Sequence, residues 1–179
     1  MTETVLLVGG GGREHAVARA LADDCSLIAC AGNRNPGIAR LADDFETLAE
    51  TDPDAVVDTA AFHAVDDCET ERDTAYQVNA TGTRNVAAAA NDVGAHYLYL
   101  SSDYVFAGDT EDAPYTENDP VAPLNYYGGT KYAGEQAAKV ADTWAVLRPS
   151  VVYGVERSNF VTWVLGELEE GNEVGIVDD

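Results

Sequence analysis

Two stretches of this 179-residue chain combine residue types at spacings that could do chemistry. The first is Tyr127-Gly128-Gly129-Thr130-Lys131. If Tyr127 opens a helix, Lys131 lies four residues on and shares its face. An ammonium beside a phenol stabilises the phenolate and lowers a pKa that is about 10 in water. Such a phenol is a usable general acid at neutral pH. A surface lysine beside a half-buried tyrosine would show the same spacing, and chance supplies it often. Two features favour chemistry. Lys131 and Lys139 are the only lysines in the chain, and the pair follows an apolar run that ends in Ser101-Ser102. Those hydroxyls could join Tyr127 in holding a carbonyl oxygen.

The second stretch is Gly9-Gly10-Gly11-Gly12, directly after Val5-Leu6-Leu7-Val8. A glycine turn between a strand and a helix lets the backbone approach a pyrophosphate, whose charge the helix N-terminus favours. Gly9 and Gly12 fit the dinucleotide fingerprint. The third small position is His15, which departs from it, and a tight turn without a ligand would have the same composition. His63 and His96 have no visible carboxylate partner and read as structural. Asp58 ends an apolar run, where a solvated carboxylate is as good a reading as a working one. Cys25, Cys30 and Cys68 follow no metal-ligand spacing and read as small buried apolar residues, and no metal is expected.

The elements that must position these residues alternate as βαβ units do. Strands are predicted at 5–8, 26–30, 55–58, 96–100, 145–147 and 174–177. Helices are predicted after the glycine turn, at about 38–48, 74–93, 126–140 and 160–169. An acidic stretch, 66–73, precedes the third helix. Parallel strands with right-handed crossovers give a three-layer α/β/α, doubly wound sheet of the NAD(P)-binding Rossmann type. Ligands bind at the carboxyl ends of such strands, after Val8, Asp58, Leu100 and Leu147.

Thirty-two acidic against ten basic residues leave a net charge of −22, which repels nucleic acid and anionic lipid. The acids are spread over every segment rather than gathered in a tail. That points to a surface adapted to high salt, where screening relieves self-repulsion. No apolar run approaches the roughly 20 residues of a membrane helix, and the N-terminus lacks a positive leader with a cleavage site. Cytoplasm is the expectation.

From about Pro53 onward the chain resembles the dTDP-4-dehydrorhamnose reductase family of extended short-chain dehydrogenases. The resemblance rests on several ordered motifs. They include Val78-Asn79-Ala80-Thr81-Gly82, Ser101-Ser102-Asp103-Tyr104-Val105-Phe106 and Pro123-Leu124-Asn125-Tyr126-Tyr127-Gly128-Gly129-Thr130-Lys131, which runs on to Glu135. Leu147-Arg148-Pro149-Ser150-Val151-Val152-Tyr153-Gly154 and Asn159-Phe160-Val161 complete the series. The resemblance implies a reductase of a nucleotide-linked 4-keto sugar using NADP or NAD. Tyr127, Lys131 and Ser102 would be catalytic, with Tyr127 and Lys131 also touching the cofactor. Gly9, Gly12, Arg13, Ala60 and Ala61 would line the cofactor, and Ser102, Tyr153 and Asn159 the substrate. Asp58 stands where the family usually has Asn. A homodimer is compatible with this reading. Epimerases and dehydratases share these motifs, and a non-catalytic nucleotide-binding module is the alternative from another class.

The first fifty residues read differently. Gly9-Gly10-Gly11-Gly12-Arg13-Glu14-His15-Ala16, with Ala31-Gly32-Asn33 and Pro36-Gly37, is similar to the first lobe of phosphoribosylamine–glycine ligase. The chain therefore divides into a dinucleotide-binding domain at 1–150, ligase-like over 1–52 and reductase-like over 53–150, and the start of a truncated sheet extension or substrate lobe at 151–179. A ligase fragment is the least favoured activity. Arg34, just past the second predicted strand, is placed to meet a 2′-phosphate and favour NADPH.

Overall fold

The computed structural model describes residues 2–31, 36, 38–46, 48, 50–108, 114–152 and 159–175, with the backbone alone at 12 and 13. Its strands are β1 (Thr4–Val8), β2 (Ser26–Cys30), β3 (Asp44–Phe45), β4 (Ala55–Asp58), β5 (His96–Leu100) and β6 (Trp144–Leu147). They form one parallel sheet in the order β3-β2-β1-β4-β5-β6. The order reverses between β1 and β4, and at such a switch point a crevice opens beyond the strand ends. This is the expected doubly wound Rossmann-type fold, with helices on both faces.

Period-two alternation sorts the core. Leu6, Val56, Tyr97 and Tyr99 point to one face and pack on Ala87 and Ala90 of α4 (Thr83–Asp92) and Ala138 of α5 (Tyr126–Ala138). Val5, Leu7, Leu27, Ala29 and Val57 point to the other and meet Ala18 of α1 (Gly12–Leu21) and Ile38. Alanine on α4 lets that helix approach closely, and the two tyrosines fill the layer beneath it.

Several predicted elements change. The helix expected at 38–48 is a single 3₁₀ turn, Ile38–Arg40, followed by the short strand β3. Asp43 explains the difference. Its carboxylate accepts hydrogen bonds from the Leu27 N–H (3.0 Å) and the Ser26 hydroxyl (3.2 Å), and its own N–H donates to the Leu27 carbonyl (2.7 Å). The chain is thereby pulled onto the edge of β2. The acidic stretch expected to precede a helix is itself helical, as α2 (Val65–Thr70) and α3 (Arg72–Tyr76). Asp66, Asp67 and Asp73 sit in first turns, where the helix dipole favours acids. Between α3 and α4 lies a wide π-type turn, Gln77–Gly82. No strand forms at 174–175, which lack a pairing neighbour among the described residues, and 176–177 lie outside them. The last helix, α6 (Phe160–Glu169), buries none of its residues. Of the cysteines expected to be buried only Cys68 is, while Cys25 and Cys30 are half-buried because they flank β2 at its ends.

Two neighbouring glycines of α5 are in opposite situations. A Cβ on Gly128 would collide with the Tyr104 carbonyl and lie 2.9 Å from Pro123, whereas one on Gly129 would meet open space. Gly128→Ala is expected to destabilise by roughly 1–3 kcal/mol, the cost of overpacking. Gly129→Ala should hold or raise stability by up to about 1 kcal/mol through helix propensity. Chemical denaturation of both variants checks this, and equal effects would contradict the packing of α5 on the 103–105 turn.

Candidate active site

Gly9 follows β1, Asp58 ends β4, Ser101 and Ser102 follow β5, and Arg148 follows β6, so the chemistry-bearing residues gather along one edge of the sheet. Helix α5 crosses that edge. It starts where predicted because Asn125 caps it, accepting the Gly128 N–H at 2.8 Å. Tyr127 and Lys131 occupy successive turns on its buried face, with 3% and 1% of their surfaces exposed. The Tyr127 ring packs among Cys68 and Ala75 and meets the Tyr104 ring edge-on at 5.6 Å. The Lys131 ammonium lies 4.2 Å from the centroid of the Tyr99 ring, a cation–π contact that offsets part of its desolvation.

Of the adjacent serines, Ser101 is committed. Its hydroxyl donates to Glu135 at 2.6 Å, and Glu135 also takes a bidentate grip from Arg148 at 2.8 and 2.7 Å. Ser102 is buried but more loosely engaged. Its oxygen accepts the Tyr104 N–H at 3.3 Å, and its hydroxyl donates to Asp103 at 3.2 Å. The difference leaves Ser102 the better placed of the two to turn its hydroxyl toward a ligand.

Residue-by-residue reading assigned no role to Asn79, although it is fully buried and links the site's two halves. Its carboxamide accepts the Phe62 N–H (2.8 Å) and donates to the Phe62 carbonyl (3.0 Å) and to the Thr130 hydroxyl (2.9 Å). Thr130 in turn donates to the Tyr127 carbonyl at 2.8 Å. The loop beside Ala60 and Ala61 is thus tied to the turn of α5 that carries Tyr127. The wide turn at 77–82 leaves the Asn79 carbonyl available to the hydroxyls of Thr83 (2.9 Å) and Tyr99 (3.2 Å). A signal was present in the sequence: Asn79 is a poor helix former inside the helix predicted at 74–93, and such a residue is kept for its hydrogen bonds. Glu135 and Arg148 were likewise visible only as letters within motifs.

Asp58 is 1% exposed and accepts the Tyr97 hydroxyl at 2.5 Å and the Ala60 N–H at 3.1 Å. Burial pushes its carboxyl above the ordinary range, Glu14 adds to the rise, and the two hydrogen bonds and the Lys131 charge oppose it. Burial and the neighbouring carboxylate push Tyr97 upward as well, so its phenol keeps its proton.

At the glycine turn, Gly9 adopts φ +131°, a conformation that disfavours any side chain. Such a turn suits the backbone approach a pyrophosphate needs, and Thr59 buttresses it through hydrogen bonds from its N–H (3.0 Å) and hydroxyl (2.9 Å) to the Val8 carbonyl. Ala60 and Ala61 are half-buried beside it. Gly12 opens α1, whereas the side chain of Arg13, and Arg34 and Tyr153 entirely, lie outside the described residues. Asn159, expected at the substrate, caps α6, its side-chain oxygen accepting the N–H groups of Val161 (3.0 Å) and Thr162 (3.2 Å). His63 and His96 are exposed and outside the buried network.

A family model described as the RmlD substrate binding domain matches residues 3–179. The dTDP-4-dehydrorhamnose reductase of Escherichia coli K12 is 38% identical over 98% of this chain and 60% of that protein. A probable dTDP-4,6-dihydroxy-2-methyloxan-3-one 4-ketoreductase of Streptomyces antibioticus is 38% identical over 94% of this chain and 57% of that one. Among solved structures, a dTDP-4-dehydrorhamnose reductase from Bacillus anthracis in complex with NADP superposes with a TM-score of 0.82 at 33% identity. That match covers 95% of this chain and 61% of the other. The chain thus spans about 60% of the length of the curated relatives it matches.

The raised Asp58 carboxyl has a sign that can be tested. The folded state holds this proton more tightly than the unfolded one. The stability linked to it is full below the unfolded value of about 3.9 and is lost as pH rises through the folded value. Asn cannot ionise, and its amide can donate to the Tyr97 oxygen while Tyr97 donates on to the Thr83 carbonyl, now 3.4 Å away. Asp58→Asn is therefore expected to melt roughly 2–4 °C above the unmodified chain at neutral pH. The gain should shrink toward pH 4. A gain independent of pH, or a loss at neutral pH, would contradict the assignment.

Proposed function

The chain belongs to the RmlD substrate binding domain family, and from that membership we propose that it is an NADPH- or NADH-dependent reductase of a nucleotide-linked 4-keto sugar. The observation that carries this reading is α5, which buries Tyr127 and Lys131 on one face at the carboxyl edge of the sheet. In the reading, Gly9, Gly12, Arg13, Ala60 and Ala61 hold the cofactor across the crevice, and Arg34 favours NADPH. Ser102, Tyr153 and Asn159 face the sugar nucleotide. The dinucleotide-binding domain is 1–150, and 151–179 begin the substrate-binding extension. We read the ligase-like first fifty residues as a variant of the phosphate-binding turn, joined to the reductase-like part near Asp52-Pro53.

When bound, the cofactor supplies the hydride. Addition of hydride to a ketone leaves negative charge on oxygen, and the rest of the chemistry is to meet that charge. Tyr127 gives its phenolic proton to that oxygen. The Lys131 ammonium offsets the phenolate left behind, and the Ser102 hydroxyl donates a hydrogen bond to the same oxygen. Burial of Tyr127 and Lys131 keeps bulk water from competing for the proton. The same arrangement run in reverse is an oxidation, so epimerase and dehydratase chemistry draws on these groups too.

The acidic surface supports a salt-rich cytoplasm and disfavours nucleic acid and anionic membranes as partners. No helix among the described residues is long and apolar enough to cross a membrane. A homodimer is compatible with this reading.

Tyr127→Phe is expected to lower the reductase rate by about 10²–10⁴-fold while leaving the melting temperature and cofactor affinity nearly intact, since the ring's packing is kept. Lys131→Met should lower both rate and cofactor affinity. Steady-state rates, titrations and melts on the same preparations decide this. Full activity in Tyr127→Phe would refute the acid. Cofactor binding without turnover in the unmodified chain would favour a non-catalytic binding module.

A further inference from the structure

Glu14 is the third residue of α1 and is buried, with 6% of its surface exposed. Its side chain does not run outward along the helix. It folds back across the glycine turn, so that a Cβ on Gly9 would overlap its carboxylate, and one on Gly11 would lie 2.8 Å from its Oε2. The same hypothetical Cβ on Gly9 would lie 2.7 Å from the Thr59 hydroxyl oxygen. The carboxylate therefore sits at the start of α1, between the ends of β1 and β4, inside the crevice where the strand order reverses. Thr59 offers it little relief, because its hydroxyl proton goes to the Val8 carbonyl at 2.9 Å. Asp58, at the end of β4, is close enough that the Glu14 charge raises its carboxyl.

The first turn of a helix collects unpaired N–H groups and the positive end of the dipole, and it holds either an acidic side chain or a bound phosphate. Glu at the third helical position is the side chain that reaches back to such groups. In this chain the helix start already faces an anion of its own, and a second carboxylate lies beside it. An incoming pyrophosphate must displace Glu14 or lie against it in a poorly solvated crevice, where like charges repel strongly.

We propose that Glu14 sets the affinity of the dinucleotide site by competing, as an internal anion, with the pyrophosphate for the start of α1. The inference rests on the cofactor reading above and concerns a residue outside the expected cofactor set. It separates ligands by chemistry. Those carrying a pyrophosphate are opposed by Glu14, and those carrying only the nucleoside are not.

The test is binding of NADPH, ADP-ribose and adenosine to the 179-residue chain and to Glu14→Gln, by calorimetry for the first two and saturation-transfer NMR for adenosine. Melts confirm folding, and Glu14→Met, of similar volume without the charge, is the second variant. NADPH and ADP-ribose are expected to bind the variants at least about tenfold more tightly, with adenosine unchanged. Unchanged or weaker binding of the pyrophosphate ligands overturns the proposal, since Glu14 would then brace the turn. Equal tightening of adenosine overturns it too, because the effect would lie elsewhere. Absence of binding by all three ligands to every form removes the cofactor reading itself, and this inference with it.

Discussion

The buried carboxylate of Glu135 receives three short hydrogen bonds, one from Ser101 at the end of β5 and two from Arg148 at the end of β6. Glu135 itself stands on α5, two turns beyond Tyr127 and one beyond Lys131. One ion pair thereby joins two strand ends to the helix that carries the proposed acid. Charge of this kind is expensive to bury, and here both carboxylate oxygens are hydrogen-bonded and ion-paired. Removing Arg148 would leave the buried Glu135 carboxylate without its ionic partner, whereas the half-buried Arg148 can reach solvent. Asn79 performs the corresponding job at the other end of α5, through Thr130. Held at both ends, the helix has little freedom to rotate, and Tyr127 and Lys131 keep one face.

Much of this was readable before any coordinates. The strand–turn–helix order, the ligand edge at the strand ends and the start of α5 follow from apolar runs, helical spacing and a glycine turn. Those are local signals, and local physics produces them. The parts that were not readable depend on distant partners. The strand β3 exists because Asp43 finds β2, and nothing in the letters 38–48 announces that. Asn79, Glu135 and Arg148 acquire meaning only when the fold brings residues 17, 51, 34 and 13 positions apart into hydrogen-bond distance. Asn159 stands in the sequence only as a motif residue, and its capping of α6 becomes visible once Val161 and Thr162 are placed.

Electrostatics pulls against the proposed function at one point. A chain with a net charge of −22 already repels anions at long range, more weakly as salt screens it. Glu14 and Asp58 act at short range inside the crevice, where screening by salt is least effective. Gly9 turns there with a positive φ, and Glu14 and Asp58, both buried, put acidic groups beside that turn.

The central claim is that the crevice between β1 and β4 binds a nicotinamide dinucleotide, and a calorimetric titration of the unmodified chain with NADPH and then NADH in molar KCl tests it most directly. The account predicts saturable binding with one cofactor per chain. No binding of either dinucleotide at millimolar concentration, by a chain shown to be folded in the same buffer, would contradict it.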